Sequence, residues 1–198
     1  SPLRQALTWR DLWIALAEIE RELGVDVPES AIEDLRAARD SVNLARIAEI
    51  EAELRHDVMA HVHHYGEVAP GARPFIHLGA TSAFVADNAG LVQLRDALLI
   101  TSDRLLAAIS ALAEFAGRWA HLPTLGYTHW QPAQPVTVGK RATLWLQDLV
   151  ADFEQIRLLQ AELRFRGARG TTGTEATFLE LFEGDGDRVD ELNRRLAE

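Results

Sequence analysis

Gly126-Tyr127-Thr128-His129-Trp130-Gln131-Pro132-Ala133-Gln134-Pro135, continued by Val136-Thr137-Val138-Gly139-Lys140, carries two prolines three residues apart. A proline lacks the backbone N–H and clashes with the preceding helical turn, so one helix cannot hold both. The stretch therefore reads as a rigid, extended connector between helical segments, and it carries one imidazole, His129. Braced by Trp130, Gln131 and Pro132, a loop histidine can be held at a fixed angle, as a proton donor or acceptor requires. A lone loop histidine is usually a surface residue with no role. The dense Thr-His-x-Gln-x-Ala-x-Pro pattern favours the functional reading.

Both flanks of this connector are helical. Leu91, Leu94, Leu98, Leu105, Ile109, Leu112 and Phe115 form an apolar stripe over residues 87–121, which Leu122-Pro123 ends. Trp145, Leu149, Phe153, Ile156, Leu159 and Leu163 form a second stripe from about Lys140. Two long antiparallel helices make half of a bundle. Leu99, Leu106, Leu144, Leu146 and Leu158 lie off the stripes, so further helices from other subunits are expected to cover them.

Upstream the pattern is of shorter helices. Thr8 reads as an N-cap with Asp11 in the first turn, Leu12, Leu16, Ile19 and Leu23 recur at helical spacing, and Gly24 terminates. Pro28 fits the first turn of a second helix, and a third runs from about Val42 to Leu54. The fold class is all-α. The expected division is a small N-terminal helical domain over 1–82 and part of a central helical bundle over 83–198.

Three further stretches carry chemistry. Arg55-His56-Asp57 sets a cation, an imidazole and a carboxylate side by side; its plainer reading is a solvated helix start. Gly79-Ala80-Thr81-Ser82 places two hydroxyls just ahead of a helix, where backbone N–H groups and the helix dipole favour an anion, although an ordinary N-cap explains it equally well. Gly170-Thr171-Thr172-Gly173-Thr174 breaks a helix and allows a ligand close to the backbone; a helix kink is the alternative. No strand precedes it and no Gly-Lys-Ser/Thr follows, so it is not a nucleotide P-loop. His56, His61, His63 and His64 lie close together, but without the acidic partners of a helical zinc motif, so no metal is expected.

Bulk properties narrow the function. The absence of cysteine excludes disulfides and thiolate metal sites. A net charge of -10 argues against nucleic acid, though the local cluster Arg164, Arg166 and Arg169 leaves room for a small anionic ligand. No apolar run approaches the roughly 20 residues of a membrane span, and nothing resembles a signal peptide, so a cytoplasmic protein is expected. The chain starts at Ser1 and stops inside a helical run at Glu198, which reads as a fragment of a longer protein.

Taken in order, Arg55-His56-Asp57, Gly79-Ala80-Thr81-Ser82, Tyr127 to Pro135 and Gly170 to Thr174 resemble the motifs of the fumarase/aspartase lyase superfamily, and within it the adenylosuccinate lyase family. The resemblance extends through nearly the whole chain, including Leu54-Arg55-His56-Asp57-Val58-Met59-Ala60-His61-Val62-His63 and Leu163-Arg164-Phe165-Arg166-Gly167. It implies long helices that assemble into a homotetramer, no cofactor, and a small-molecule substrate. The implied reaction is β-elimination of fumarate from adenylosuccinate, giving AMP, and from the succinylated carboxamide intermediate of purine biosynthesis. By the same resemblance His129 is the general acid. Arg55, His56 and Asp57 hold the nucleotide end, with His56 also near the reacting centre, while Thr81 and Ser82 take a succinyl carboxylate and Thr128 supports that region.

Three departures qualify the resemblance. The family's catalytic serine loop lies further along than residue 198, so the chain alone is expected to be inactive. An Arg-Tyr pair that helps bind phosphate near the family's N-terminus is missing. Glu175 stands where many relatives carry a substrate-binding glutamine, and a carboxylate there would repel a dianion unless protonated or paired. Two other readings compete: another superfamily lyase, such as argininosuccinate lyase or a cycloisomerase, and a non-catalytic helical scaffold.

Overall fold

The computed structural model describes all 198 residues, Ser1–Glu198. Eight α-helices and one two-stranded ribbon make up the chain: α1 (Pro2–Glu22), α2 (Glu29–Ala38), α3 (Leu44–Leu54), α4 (Asp57–Val68), a 3-10 segment (Pro70–Phe75), α5 (Ser82–Arg118), β1 (Pro123–Thr128), β2 (Gln131–Thr137), α6 (Val138–Glu162), α7 (Ala176–Leu181) and α8 (Gly186–Leu196). The all-α class holds, with the ribbon as its one exception. Helix α1 begins earlier than expected: Ser1 is its N-cap, and Thr8 lies inside it with its hydroxyl donating to the Arg4 carbonyl at 2.9 Å. Pro2 at the first helical position, with φ already preset, explains the earlier start.

Two compact units result, one of residues 1–92 with 164–198, the other of residues 93–163. The expected division at 82/83 differs from this, because the segment after α6 returns to the N-terminal helices. Asn88, fully buried on α5, causes that return: its Nδ2 donates to the carbonyls of Phe84 (2.8 Å) and Gly167 (2.7 Å), and its Oδ1 accepts from the Arg166 N–H (2.8 Å). Asn193 on α8 holds the other side of the same segment, accepting from the Ala168 N–H.

The core of the first unit joins Trp9, Trp13 and Leu16 of α1 to Leu35 of α2, Tyr65 of α4, Phe84 of α5 and Phe178 of α7. Arg10 is 2% exposed within it. Its guanidinium donates to the carbonyls of Ala38 and Arg39 at the end of α2 and lies 4.3 Å from the centre of the Tyr65 ring. A buried cation is thus met by the negative end of a helix and an aromatic face.

Glu20 is also fully buried, and neither carboxyl oxygen has a hydrogen-bond partner. Burial pushes its pKa up from 4.5 to about 9, so the folded protein holds it as a neutral acid at pH 7. The folded state then binds more protons than the unfolded state between these limits, and stability must fall as pH rises through that window. Glu20→Gln keeps the shape and cannot ionise. We expect the stability difference between variant and parent, read from urea midpoints at pH 5, 7 and 9, to move in the variant's favour by about 1 kcal/mol per pH unit. A difference independent of pH would contradict the assignment.

In the second unit the connector between the long helices is a β-hairpin. Thr128 pairs with Gln131, Tyr127 with Pro132, Leu125 with Pro135 and Pro123 with Thr137, with an irregularity at Gly126. Both strands are edges, so prolines that cannot donate to a ladder are tolerated. Gly126 is required where the strands approach, since a Cβ there would lie 2.7 Å from the Gln134 carbonyl oxygen. Gly139 then fits against the end of α5, where a Cβ would lie 2.3 Å from the carbonyl oxygen of Ala116. Gln160 of α6 donates to Ser102 of α5 at 3.3 Å, and Leu99, Leu106, Leu144, Trp145 and Leu158 are exposed. No helix is long and apolar enough to cross a membrane.

Candidate functional site

The α3–α4 turn is made by two residues. Arg55 ends α3 with φ 54° and ψ 37°, a left-handed conformation that a non-glycine residue adopts at some energetic cost. That reversal leaves Arg55 exposed and sets His56 as N-cap of α4, where its Nδ1 accepts from the Met59 N–H at 3.4 Å. Asp57, in the first turn, accepts from the Val58 N–H at 2.7 Å, a favourable place for negative charge. It also lies 3.5 Å from His56 Nδ1.

The other imidazole nitrogen reaches into the second motif. His56 Nε2 is 3.2 Å from the hydroxyl of Ser82, the first residue of α5. Immediately before it, the Thr81 hydroxyl is buried and has no hydrogen-bond partner. A buried, unsatisfied hydroxyl costs about 1–3 kcal/mol, and ligand binding can recover that energy. Thr81 and Ser82 stand at the N-terminus of α5, a place where helix N–H groups and the helix dipole favour an anion.

The third motif packs against the second. A Cβ at Gly170 would lie 3.2 Å from the Thr81 hydroxyl, so glycine permits this approach. The loop is closed by its own backbone, Gly170 N–H donating to the Thr174 carbonyl at 3.0 Å and Gly173 N–H to the Gly170 carbonyl at 2.9 Å. Thr177 ties it down by donating to the Gly79 carbonyl at 2.6 Å, and Arg166 donates to the Gly170 carbonyl while pairing with Asp87. Three motifs spread in sequence from Arg55 to Thr174 thus form one cluster in the first unit.

Glu175 sits at the edge of this cluster, its side chain 18% exposed. Asn193 Nδ2 donates to its Oε1, and Arg169 lies 3.8 Å away. The carboxylate is therefore paired, which lessens the repulsion expected of an unpaired one.

His129 and Thr128 belong to the second unit. Thr128 ends β1, and His129-Trp130 form the two-residue hairpin tip with φ 51° and 61°, the arrangement of a type I′ turn. Glycine or asparagine normally takes these positions, so the tip is strained. Trp130 is 100% exposed and braces nothing within the chain, contrary to expectation. His129 is held by the turn backbone instead.

Sequence reasoning missed His77. It adopts φ 66° in the turn ahead of α5, and the Trp13 indole N–H donates to its Nδ1 at 2.9 Å. Burial, with a further contribution from His56, lowers its pKa to about 4, so it is neutral at pH 7. The signal was present, since His77 stands two residues before Gly79, but its partner is 64 residues away in sequence. Two of the clustered histidines have other tasks. His64 is buried with Nε2 accepting from the Asn43 N–H, and the His61 ring lies 4.7 Å from Trp9 in an edge-on contact.

The chain is similar to known lyases. The chain is 48% identical over 194 residues to an adenylosuccinate lyase of Saccharomyces cerevisiae and 47% identical over 193 residues to one of Schizosaccharomyces pombe. Each alignment covers 96% of this chain and 40% of the relative, so the chain spans about two fifths of the length of these curated relatives. Among solved structures, a fumarate lyase from Mesorhizobium sp. BNC1 superposes with a TM-score of 0.83 at 27% identity, covering 100% of this chain and 45% of that one. A family model described as lyase matches residues 5–180, and the chain belongs to that lyase family.

Proposed function

We propose that this chain is the N-terminal and partial central portion of an adenylosuccinate lyase, a carbon–nitrogen lyase that eliminates fumarate from adenylosuccinate to give AMP. The same chemistry would act on the succinylated carboxamide intermediate of purine biosynthesis. The observation that carries this reading is the cluster of His56, Thr81, Ser82 and Gly170, an imidazole and two hydroxyls at a helix N-terminus with one hydroxyl unsatisfied. Such a place suits a carboxylate of a succinyl group. Arg55 and Asp57 flank it and would hold the nucleotide end.

In the elimination a base removes the proton next to a carboxylate, and the electron pair is held as an aci-carboxylate dianion. The pair then forms the C=C bond of fumarate as the C–N bond breaks, and the departing nitrogen takes a proton from His129. Thr128 supports the region of the acid. Glu175, paired with Asn193 and Arg169, would border the substrate site.

The exposed apolar residues of α5 and α6 support a homo-oligomer; a tetramer working in the cytoplasm without a cofactor follows only from the resemblance to the lyase family. The test is the longer protein assayed by ultraviolet absorbance with adenylosuccinate and, separately, with argininosuccinate. Turnover of adenylosuccinate is expected. Turnover of argininosuccinate alone, or of neither, would overturn the proposal.

A further inference from the structure

Trp13 is fully buried on α1, far in sequence from the motifs, yet its indole reaches the turn that leads into α5. An indole N–H is a donor only, so the nitrogen it faces must present a lone pair. The Nε1 to Nδ1 distance is 2.9 Å, and the two rings meet edge to face with centroids 5.9 Å apart and planes at 86°. His77 itself is fixed by its left-handed backbone and by the Ala80 N–H donating to its carbonyl at 3.2 Å. No protein group partners Nε2, and His77 lies within electrostatic reach of His56, which bonds Ser82.

We infer that Trp13 is a positioning residue: its indole N–H holds His77 as the Nε2–H tautomer, leaving that N–H free to donate to an acceptor atom of a ligand bound beside the His56–Ser82 contact. The opposite tautomer would set two donors face to face across 2.9 Å, and rotation of the ring is opposed by the packing of Trp13 between Tyr65 and His77. The role in ligand binding rests on the proposed lyase function, whereas the tautomer does not.

The test is nuclear magnetic resonance of the ¹⁵N-labelled chain, in which long-range ¹H–¹⁵N correlations report histidine tautomers. The expected result is an Nε2–H His77 and a trans-hydrogen-bond coupling between Trp13 Nε1 and His77 Nδ1. Trp13→Phe keeps a packed ring and removes the donor, so His77 is expected to become a mixture of tautomers. A missing coupling in the parent chain would overturn the inference even if the variant fails to fold, as would an unchanged tautomer in a folded variant. In the longer protein, Trp13→Phe is expected to lower kcat/KM for adenylosuccinate about tenfold. A shifted tautomer with unchanged kcat/KM would overturn the positioning role. If the parent enzyme fails to act on adenylosuccinate while the tautomer behaves as stated, the lyase reading fails and the Trp13–His77 assignment stands.

Discussion

In the longer protein, His129→Ala is expected to lower kcat by about 10²- to 10⁴-fold, the range general acid–base groups contribute. The loss should fall on the chemical step, because the departing nitrogen would have to leave as an unprotonated anion. The structure makes this variant a clean one. His129 is exposed at a hairpin tip, its side chain has no hydrogen bond within the chain, and its placement comes from the turn backbone rather than from packing. Removing the imidazole should leave the unfolding midpoint within about 0.5 kcal/mol of the parent. Alanine does not remove the strain of φ 51°, so the turn geometry is tested separately by His129→Asn, which tolerates that conformation but cannot donate the proton. Both variants are expected to fold and to be inactive. Full activity in either would remove His129 from the mechanism and favour the scaffold reading.

The largest effect on stability is expected at Asn88. Replacing it with leucine preserves volume but leaves the Gly167 carbonyl and the Arg166 N–H without partners in a buried place. Each unsatisfied group costs about 1–3 kcal/mol, so Asn88→Leu should lose roughly 4 kcal/mol. Against a total stability on the order of 5–15 kcal/mol that is a large share. Urea unfolding of this chain measures the loss, and hydrogen exchange should locate it in residues 164–175. The same segment carries the Gly170 loop beneath Thr81, so the variant also tests whether the site's floor depends on Asn88. An unchanged midpoint would show that other contacts hold the segment.

Much of the secondary structure was legible from periodicity. The leucine stripes predicted α5 and α6 to within a few residues, since a long apolar stripe with a 3.6-residue repeat has one stable form. Gly24 marked the end of α1, and Leu122-Pro123 the break after α5, for backbone reasons that operate locally. The start of α1 was misplaced because both Ser1 and Thr8 can cap, and only the observed hydrogen bonds distinguish the cap from an internal threonine. The hairpin was missed because its turn, His129-Trp130, lacks the glycine or asparagine by which such turns are recognised.

The residue types of the candidate site were set by the sequence alone: a cation–imidazole–carboxylate triplet, two hydroxyls ahead of a helix and a glycine–hydroxyl loop are local patterns, each with local physics. Tertiary structure decided which of them meet. It brought His56 to Ser82 and Gly170 to Thr81, paired Glu175 with Asn193, and placed Trp13 on His77. These contacts join residues up to 89 positions apart, and their geometry depends on the buried Asn88, on Asn193 and on a left-handed Arg55, whose partners no local pattern names.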